Sequence, residues 1–209
     1  MAVVTGVRTV GGVVVISSDG LVLTRVRRSD FMKMPLEEGD KFDPDEYLDK
    51  IAAMQFKEAY AAVTALLEGS DKTKAELKKM LTRKGFVGPA ADAAVEKAAG
   101  QRFVDDKRYA ERLVERNADT DKGIYALKRK MYRKGLSEED IGEALSAIDD
   151  GQQKTACRRA YEKIRKRYEG LPKREARAKL SRALASRGFG WDTISAVLED
   201  DPDEEDYDL

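Results

Sequence analysis

A repeated pattern of apolar positions organises most of the chain. Leu127 and Met131 precede Gly135 by eight and four positions, and an apolar residue follows the glycine directly. The same spacing occurs twice more, once around Leu77, Leu81, Gly85 and Phe86 and once around Leu180, Leu184, Gly188 and Phe189. The three glycines are 50 and 53 residues apart. Repeats of this length are typical of tandem supersecondary units that bury their apolar faces largely against their neighbours.

Helix start and stop signals divide each copy into three predicted helices. In the first copy, Asp43-Pro44 precedes either one long helix or two helices from Asp45 to Leu67, because proline suits the first helical position. Thr73 and Glu76 have the spacing of a capping box for the second helix. Gly85 can adopt the left-handed conformation that ends this helix, and a third helix follows. The same order of signals predicts three helices in each of the other two copies.

The N-terminal segment carries a different pattern. β-branched residues dominate positions 12–17 and 21–27, and Asp19-Gly20 lies between these two runs. This arrangement predicts a β-hairpin. The predicted fold class is therefore mainly α, with a tandem array of three three-helix modules and a small N-terminal β-hairpin. The predicted domains are a hairpin extension at 1–42, modules at 43–102, 103–149 and 150–199, and a disordered acidic tail at 200–209.

Charge is distributed unevenly along the chain. The 209 residues contain 39 basic and 39 acidic side chains, but the last eleven residues hold eight acidic and no basic ones. Residues 151–189 contain thirteen basic and only three acidic residues. A basic body with an acidic tail suggests a polyanion or an acidic protein surface as the partner. We also expect the tail to fold back on the basic body and to compete with DNA there.

The composition argues against catalysis. The chain has no histidine, which removes the commonest general base and the commonest metal ligand. Cys157 lies in a basic run that would lower its pKa, but no histidine accompanies it as a base. The Asp105-Asp106 pair is more typical of a helix cap than of a catalytic site. We therefore predict no enzyme, no cofactor and no metal site.

Cellular location is also suggested by composition. A single cysteine cannot form an intramolecular disulfide, which favours a reducing compartment. The apolar runs are far too short to span a membrane, and the N-terminus lacks the pattern of a signal peptide. We expect a cytoplasmic protein with no membrane partner.

Basic residues recur at equivalent places in the three copies. Lys79, Arg129 and Arg182 each stand six positions before the repeat glycine. They lie about 200° around the helix from the apolar position two residues earlier, so all three should face water. Either an ordinary solvated face or a surface that contacts a polyanion would have this pattern. A second recurring set, Lys84, Lys134 and Arg187, directly precedes the glycines and is explained by the helix dipole alone.

Two further features leave alternatives open. Tyr60, Tyr109 and Tyr161 precede their glycines by 25, 26 and 27 residues, which suits either packing between helices or stacking on a base. Three short helices with a glycine turn also suit a helix-turn-helix transcription factor. Lysine and arginine dominate the predicted surface, however, and this favours phosphate contact without sequence preference.

Three motifs together resemble the RecX family, bacterial regulators of the RecA recombinase. They are Lys74-Ala75-Glu76-Leu77-x3-Leu81-x2-Lys84-Gly85, Phe103-Val104-Asp105-Asp106-x2-Tyr109-Ala110 and Leu127-x3-Met131-x2-Lys134-Gly135-Leu136. The resemblance extends from about Ala52 to Leu198 and is most specific in the Asp-Asp-x2-aromatic-Ala motif. In the third copy, Phe189-Gly190-Trp191 replaces the usual acidic helix start.

The resemblance implies a curved array of modules that lies in the groove of the RecA filament on single-stranded DNA. There it would inhibit ATP hydrolysis, strand exchange and co-protease activity. RecA, and DNA directly, are the expected partners, and we expect a monomer. The candidate contact residues are Lys79, Lys128, Arg129, Arg133, Lys134, Arg158, Arg159, Lys163, Lys166, Arg182 and Arg187.

Overall fold

The described residues form two compact units. The computed structural model describes residues 1–118 and 120–200. One unit is Met1–Asp105 and the other begins at Asp106. Both are mainly helical, and the strands belong to the first, so the predicted fold class is confirmed. The disordered tail predicted for residues 200–209 lies outside the described residues except for Asp200.

The N-terminal strands form a larger structure than the predicted hairpin. The strands are β1 (Ala2–Val3), β2 (Gly6–Val10), β3 (Val13–Ser18), β4 (Leu21–Arg27) and β5 (Lys41–Phe42). Strands β2, β3 and β4 form an antiparallel sheet in that order, and β1 pairs with β5. The β3–β4 pair is the predicted hairpin, and both Asp19 and Gly20 have the positive φ of its tight turn. Strand β2 was not predicted.

Ten α-helices lie in the described part of the chain, and the last nine follow the order predicted for the three modules. The first unit contains α1 (Arg28–Phe31), α2 (Pro44–Glu68), α3 (Lys74–Arg83) and α4 (Gly88–Gly100). The second contains α5 (Asp106–Glu115), α6 (Ile124–Arg133), α7 (Glu138–Ser146), α8 (Asp150–Arg165), α9 (Lys173–Ser186) and α10 (Trp191–Glu199). Helices α2–α4 form the first module, α5–α7 the second and α8–α10 the third.

Residues at the helix ends have the capping and terminating roles that the sequence predicts. The Asp43 side chain accepts hydrogen bonds from the backbone N–H groups of Asp45 and Glu46 at the start of α2. Thr73 and Glu76 form a complete capping box on α3. The repeat glycines that follow α3, α6 and α9 all have positive φ, at 84°, 75° and 90°. A left-handed residue at this position therefore ends the same helix in each module.

The repeat positions are buried equivalently. Leu77, Leu127 and Leu180 are 0%, 7% and 8% exposed, and each packs in the core of its own module. The apolar position four residues later in each copy is fully buried. The prediction that the three copies place these residues alike is confirmed. Each module therefore has its own apolar core.

A buried polar network joins the sheet to the first module. Asp30 is 1% exposed, and its carboxylate accepts hydrogen bonds of 2.7 Å from Arg27 Nε and Gln55 Nε2. Gln55 Oε1 in turn accepts the backbone N–H of Val87 at 2.8 Å. The Arg27 guanidinium also lies over the ring of Phe86, 4.5 Å from its centre. This network connects the end of β4, α2 and the turn between α3 and α4.

Candidate partner-binding surface

The start of α6 is held by the third module. The backbone N–H of Gly123 donates to the carbonyl of Arg187, and that of Tyr125 donates to the carbonyl of Gly188, both at 3.0 Å. Between them, the N–H of Ile124 donates to Gln153 Oε1 at 2.9 Å. The N-cap residue of α6 is Gly123, which has no side chain to cap the helix. The first N–H groups of α6, which lack intrahelical partners, therefore bond to groups of the next module.

This junction forms one wall of a cleft between the second and third modules. The cleft has a volume of about 600 Å³. Helix α6, the first turns of α8 and the end of α9 line it. Apolar lining residues include Val114, Ile124, Leu127 and Ile148. The cleft therefore combines an apolar lining with the polar groups described next.

The charged residues of the cleft all have the same sign. The five cationic lining residues are Lys122, Arg129, Lys130, Arg133 and Arg187, and the described lining contains no aspartate or glutamate. Such a concentration of one charge in a concave surface raises the local concentration of anions. The cleft is therefore suited to an anionic partner.

Most of these cations lack an intramolecular partner. Within the part of the chain that the structure describes, Lys122, Arg129, Lys130 and Arg133 form no ion pair or side-chain hydrogen bond. Arg187 donates through Nη1 to the carbonyl of Ala183 at 3.0 Å. The hydrogen-bonding groups of the first four side chains are therefore available to a ligand.

Aromatic side chains lie beside the cations of α6. Tyr125 is 53% exposed and Tyr132 is 41% exposed. They lie four residues before and three residues after Arg129, so each is about one turn away on the same side of the helix. Lys128 Nζ lies 5.8 Å from the centre of the Tyr132 ring. The Tyr132 hydroxyl donates to Glu138 at 2.7 Å, so the ring is held in place while part of the side chain stays exposed. This part of α6 offers both positive charge and stacking surface.

Cys157 is not a candidate nucleophile. Its side chain is fully buried in the core of the third module. Burial raises the pKa of the thiol to about 11, and the charge of Arg158 opposes this effect only in part. The prediction that the basic run would lower this pKa is wrong, because desolvation of the thiolate outweighs the neighbouring charge.

The described residues contain no cluster of three or more His, Cys, Asp or Glu side chains that could hold a metal ion. No helix among them is both long enough and apolar enough to cross a lipid bilayer.

Comparison with known proteins identifies the family. Family models described as the second and third three-helix domains of RecX match residues 105–145 and 152–198. A protein of Stenotrophomonas maltophilia (strain R551-3), named regulatory protein RecX, is 32% identical over 141 residues, which are 66% of this chain and 84% of that protein. The chain belongs to the RecX family. The family resemblance in the three sequence motifs is thereby confirmed.

Other RecX proteins match a larger share of the chain. Regulatory protein RecX of Limosilactobacillus reuteri (strain DSM 20016) is 26% identical over 183 residues, which cover 87% of this chain and 69% of the relative. A crystal structure of regulatory protein RecX has a TM-score of 0.67 at 23% identity and covers 95% of this chain and 100% of its own. RecX from Lactobacillus salivarius gives 0.65 at 24% identity, with coverage of 70% and 96%. At these identities the two structures support the fold alone.

The RecX assignment fixes a coarse role. The relatives are named regulatory proteins, so this chain belongs to a family of regulators. Of the predicted contact residues, the structure brings Arg129, Arg133 and Arg187 together in the cleft. Sequence reasoning missed Lys122 and Lys130. The signal for Lys130 was available, because it lies within about 100° of Arg129 and Arg133 around the helix.

Three predicted residues of α8 have partners within the second unit. Arg158 lies near Asp200, with Nη2 3.6 Å from its carboxylate. Arg159 donates through Nη2 to the carbonyls of Ala118 and Thr120 at 3.1 and 3.3 Å. Lys163 Nζ lies 3.4 Å from the carboxylate of Asp121. Arg159 and Lys163 thus stabilise the turn before α6, whatever role they have in binding.

The other predicted residues lie outside the cleft lining. Lys79 is exposed on α3 in the first unit. Arg182 is exposed on α9, with Nε donating to the carbonyl of Ala178 at 3.1 Å. Lys128 and Lys166 are also exposed, and Lys134 is half-buried at the end of α6. The exposure predicted for Lys79, Arg129 and Arg182 is confirmed, whereas their role in binding stays a prediction.

Proposed function

We propose that this protein inhibits the RecA recombinase by binding in the groove of the RecA filament on single-stranded DNA. Bound there, it suppresses ATP hydrolysis, strand exchange and co-protease activity. Membership of a family whose members are named regulatory protein RecX supports this proposal. We further expect the protein to act as a monomer in the cytoplasm.

The observation that carries the proposal is the cleft of the second unit. Five cations line it, its described lining has no carboxylate, and four of the cations have no partner in the described chain. An exposed ion pair contributes only about 0.2–1 kcal/mol, so several must act together to hold a partner. A groove of acidic protein surface and DNA phosphates offers many such pairs along its length. Binding would then weaken steeply as salt concentration rises.

The test is RecA-dependent ATP hydrolysis on single-stranded DNA with this protein titrated in. Inhibition at less than one molecule per RecA subunit would support action on the filament. Inhibition only when the protein covers all of the DNA would contradict it and would favour a binder of nucleic acid without sequence preference. Specific binding of a duplex as a dimer would instead favour a transcription factor.

Charge reversal tests which surface is used. Arg129→Glu places a negative charge in the cleft, and Arg182→Glu does so on α9 outside it. If both contact the filament, each should raise the concentration needed for half-inhibition about fivefold, which corresponds to about 1 kcal/mol. Arg174→Glu is the matched control, because Arg174 is exposed in the first turn of α9 and lies outside the cleft and the predicted contact set. Equal inhibition by Arg129→Glu and by the wild type would exclude the cleft as the contact surface.

Direct contact with single-stranded DNA is a second candidate function. It is favoured by the exposed rings of Tyr125 and Tyr132 on either side of Arg129, since bases stack on aromatic side chains while cations contact phosphates. Fluorescence anisotropy with a labelled oligothymidylate in the absence of RecA tests it. Tyr125→Ala should weaken binding about fivefold or more if a base stacks there, because one such contact is worth about 1–3 kcal/mol. Unchanged affinity would contradict stacking at this position.

A further inference from the structure

The last described residue brings the chain back onto α8. Asp200 follows α10, and its carboxylate lies 2.7 Å from Lys154 Nζ. Arg158 Nη2 donates to the backbone carbonyl of Asp200 at 3.2 Å. The hydrogen bond and charge of Lys154 lower the pKa of Asp200. The chain therefore leaves the described structure beside the N-terminal half of α8.

The residues that follow are complementary to the cleft in charge. Residues 201–209 contain six aspartates and glutamates, together with Tyr207 and Leu209, and no cation. The cleft offers five cations and an apolar lining. Arginine binds carboxylates through two parallel hydrogen bonds, and an apolar side chain is favoured on an apolar surface.

The cleft is also within reach of this segment. Gln153 and Ala156 line the cleft and lie about 100° and 200° around α8 from Lys154, so the path from the exit point to the cleft is at most about half the circumference of the helix. Half the circumference of a helix about 10–12 Å wide is roughly 16–19 Å. Nine extended residues span up to about 30 Å. The segment is long enough to pass around α8 and enter the cleft.

We propose that the cleft between the second and third modules is a docking site for an acidic peptide and that its occupant in this chain is the segment 201–209. The carboxylates pair with the cations of α6 and with Arg187, while Tyr207 and Leu209 contact the apolar lining. A peptide is favoured over nucleic acid because an acidic peptide with apolar side chains matches both properties of the cleft. The proposal does not depend on RecA being the partner, but an occupied cleft would compete with any anionic partner.

Carbodiimide cross-linking of the full-length protein tests the occupancy directly. This reagent joins a carboxylate to a nearby amine without a spacer, so mass spectrometry should find residues 201–208 linked to Lys122 or Lys130 within one chain. Links to Lys154 alone would overturn the proposal, because they would leave the segment at its exit point. Links that appear only between two chains, and disappear on dilution, would overturn it in favour of a second copy as the occupant.

Variants separate docking from general attraction. Arg129→Glu should reduce the links to Lys122 and Lys130 at least fivefold, because it removes one ion pair and adds repulsion in the cleft. Arg174→Glu makes the same change in charge outside the cleft and should leave those links within about twofold. Equal reductions in the two variants would overturn the proposal, because long-range attraction alone would then explain the links.

A separate peptide tests the apolar contacts. A fluorescent peptide with the sequence of residues 200–209 should bind a chain truncated after Asp200, with unchanged circular dichroism confirming that the truncated chain is folded. Replacing Tyr207 and Leu209 by serine in the peptide should weaken binding at least fivefold at constant charge. Equal binding of both peptides would overturn the apolar docking. Binding of an oligothymidylate at this cleft, with no binding of either peptide, would overturn the proposal in favour of nucleic acid.

Discussion

The carbonyl oxygen of Gly188 lies so close to Gly123 that a Cβ built on Gly123 would be 2.2 Å from it. A Cβ on Gly188 would lie 2.2 Å from the backbone nitrogen of Ala126. The absence of both side chains allows the backbones of the second and third modules to form their two hydrogen bonds. Any larger residue at position 123 would separate them.

Gly123→Ala should therefore destabilise the second unit by about 2 kcal/mol or more, because a rigid backbone group, not a flexible side chain, occupies the space of the new methyl group. The measurement is the free energy of unfolding of the full-length protein in urea. Hydrogen exchange should also show faster exchange of the N–H groups of Gly123 and Tyr125, since the variant loses their bonds to the third module.

Gly142→Ala is the control for this prediction. Gly142 is an exposed glycine inside α7, and a Cβ there would meet no atom within 4 Å. Alanine should stabilise this helix by about 0.5–1 kcal/mol, because glycine loses more backbone entropy on folding. Equal effects of the two substitutions would refute the role of close backbone approach at Gly123.

Asp30→Ala should destabilise the first unit by about 3 kcal/mol. The substitution removes the buried one of the two ion pairs of Arg27, and it leaves the buried Gln55 amide with only its longer hydrogen bond, 3.5 Å to the carbonyl of Gly85. Chemical denaturation followed by circular dichroism measures the loss. Asp49→Ala is the matched control, since Asp49 is exposed on α2 and its removal should change stability by less than about 0.5 kcal/mol.

The same network predicts that the stability of the first unit depends on pH. Burial alone would raise the pKa of Asp30, but hydrogen bonds from Arg27 and Gln55 and the charges of Arg27 and Lys33 outweigh it and lower the pKa. Because the folded pKa lies below the unfolded one, the stabilisation is complete above the unfolded pKa and is lost as pH falls through the folded pKa. The free energy of unfolding of the wild type should exceed that of Asp30→Asn at neutral pH, and this difference should shrink below about pH 4. A constant difference from pH 7 to pH 2 would contradict this.

Cys157 should not react with thiol reagents in the native protein at pH 8. Its thiol is inaccessible, and a pKa of about 11 keeps it protonated. Labelling with a chromogenic disulfide should be complete in denaturant and should follow the opening of the third module under native conditions. Rapid labelling of the native protein would show that the third module does not bury this residue as described.

Leu77→Ala should cost about 2–5 kcal/mol, because Leu77 is fully buried in the core of the first module. Leu21→Ala removes the same atoms from a residue that is 71% exposed on β4 and should cost less than about 1 kcal/mol. Urea denaturation of both variants compares them. Similar losses of stability in the two variants would contradict the burial of Leu77 in the core of the first module.

Local sequence signals were sufficient to predict the helices and the way they end. The apolar spacing located the buried positions, and the repeat glycines marked the helix ends, because both depend on neighbours in the sequence. The strand β2 was not predicted. Strand β3 pairs with β2 on one edge and with β4 on the other, and the sequence pattern indicated only the pairing with β4. The turn glycines Gly11 and Gly12 were the available signal for β2.

The candidate surface was less predictable than the fold. Arg129 was predicted from its recurrence, but the cleft depends on Gly123 and Gly188, which are 65 residues apart in the sequence. No periodicity connects these two glycines. The place of Lys122 in the cleft likewise could not be predicted from neighbouring residues. The pairing of Asp200 with Lys154 is likewise a long-range contact that charge counts alone could not locate.

The dependence of α6 on carbonyls of the third module limits how this chain can be divided. A fragment that ends after α7 would expose the N–H groups of Gly123 and Tyr125 to solvent and would begin α6 without a cap. Experiments that exchange modules between relatives should therefore transfer the second and third modules together, because the carbonyls that accept the first N–H groups of α6 belong to the third module.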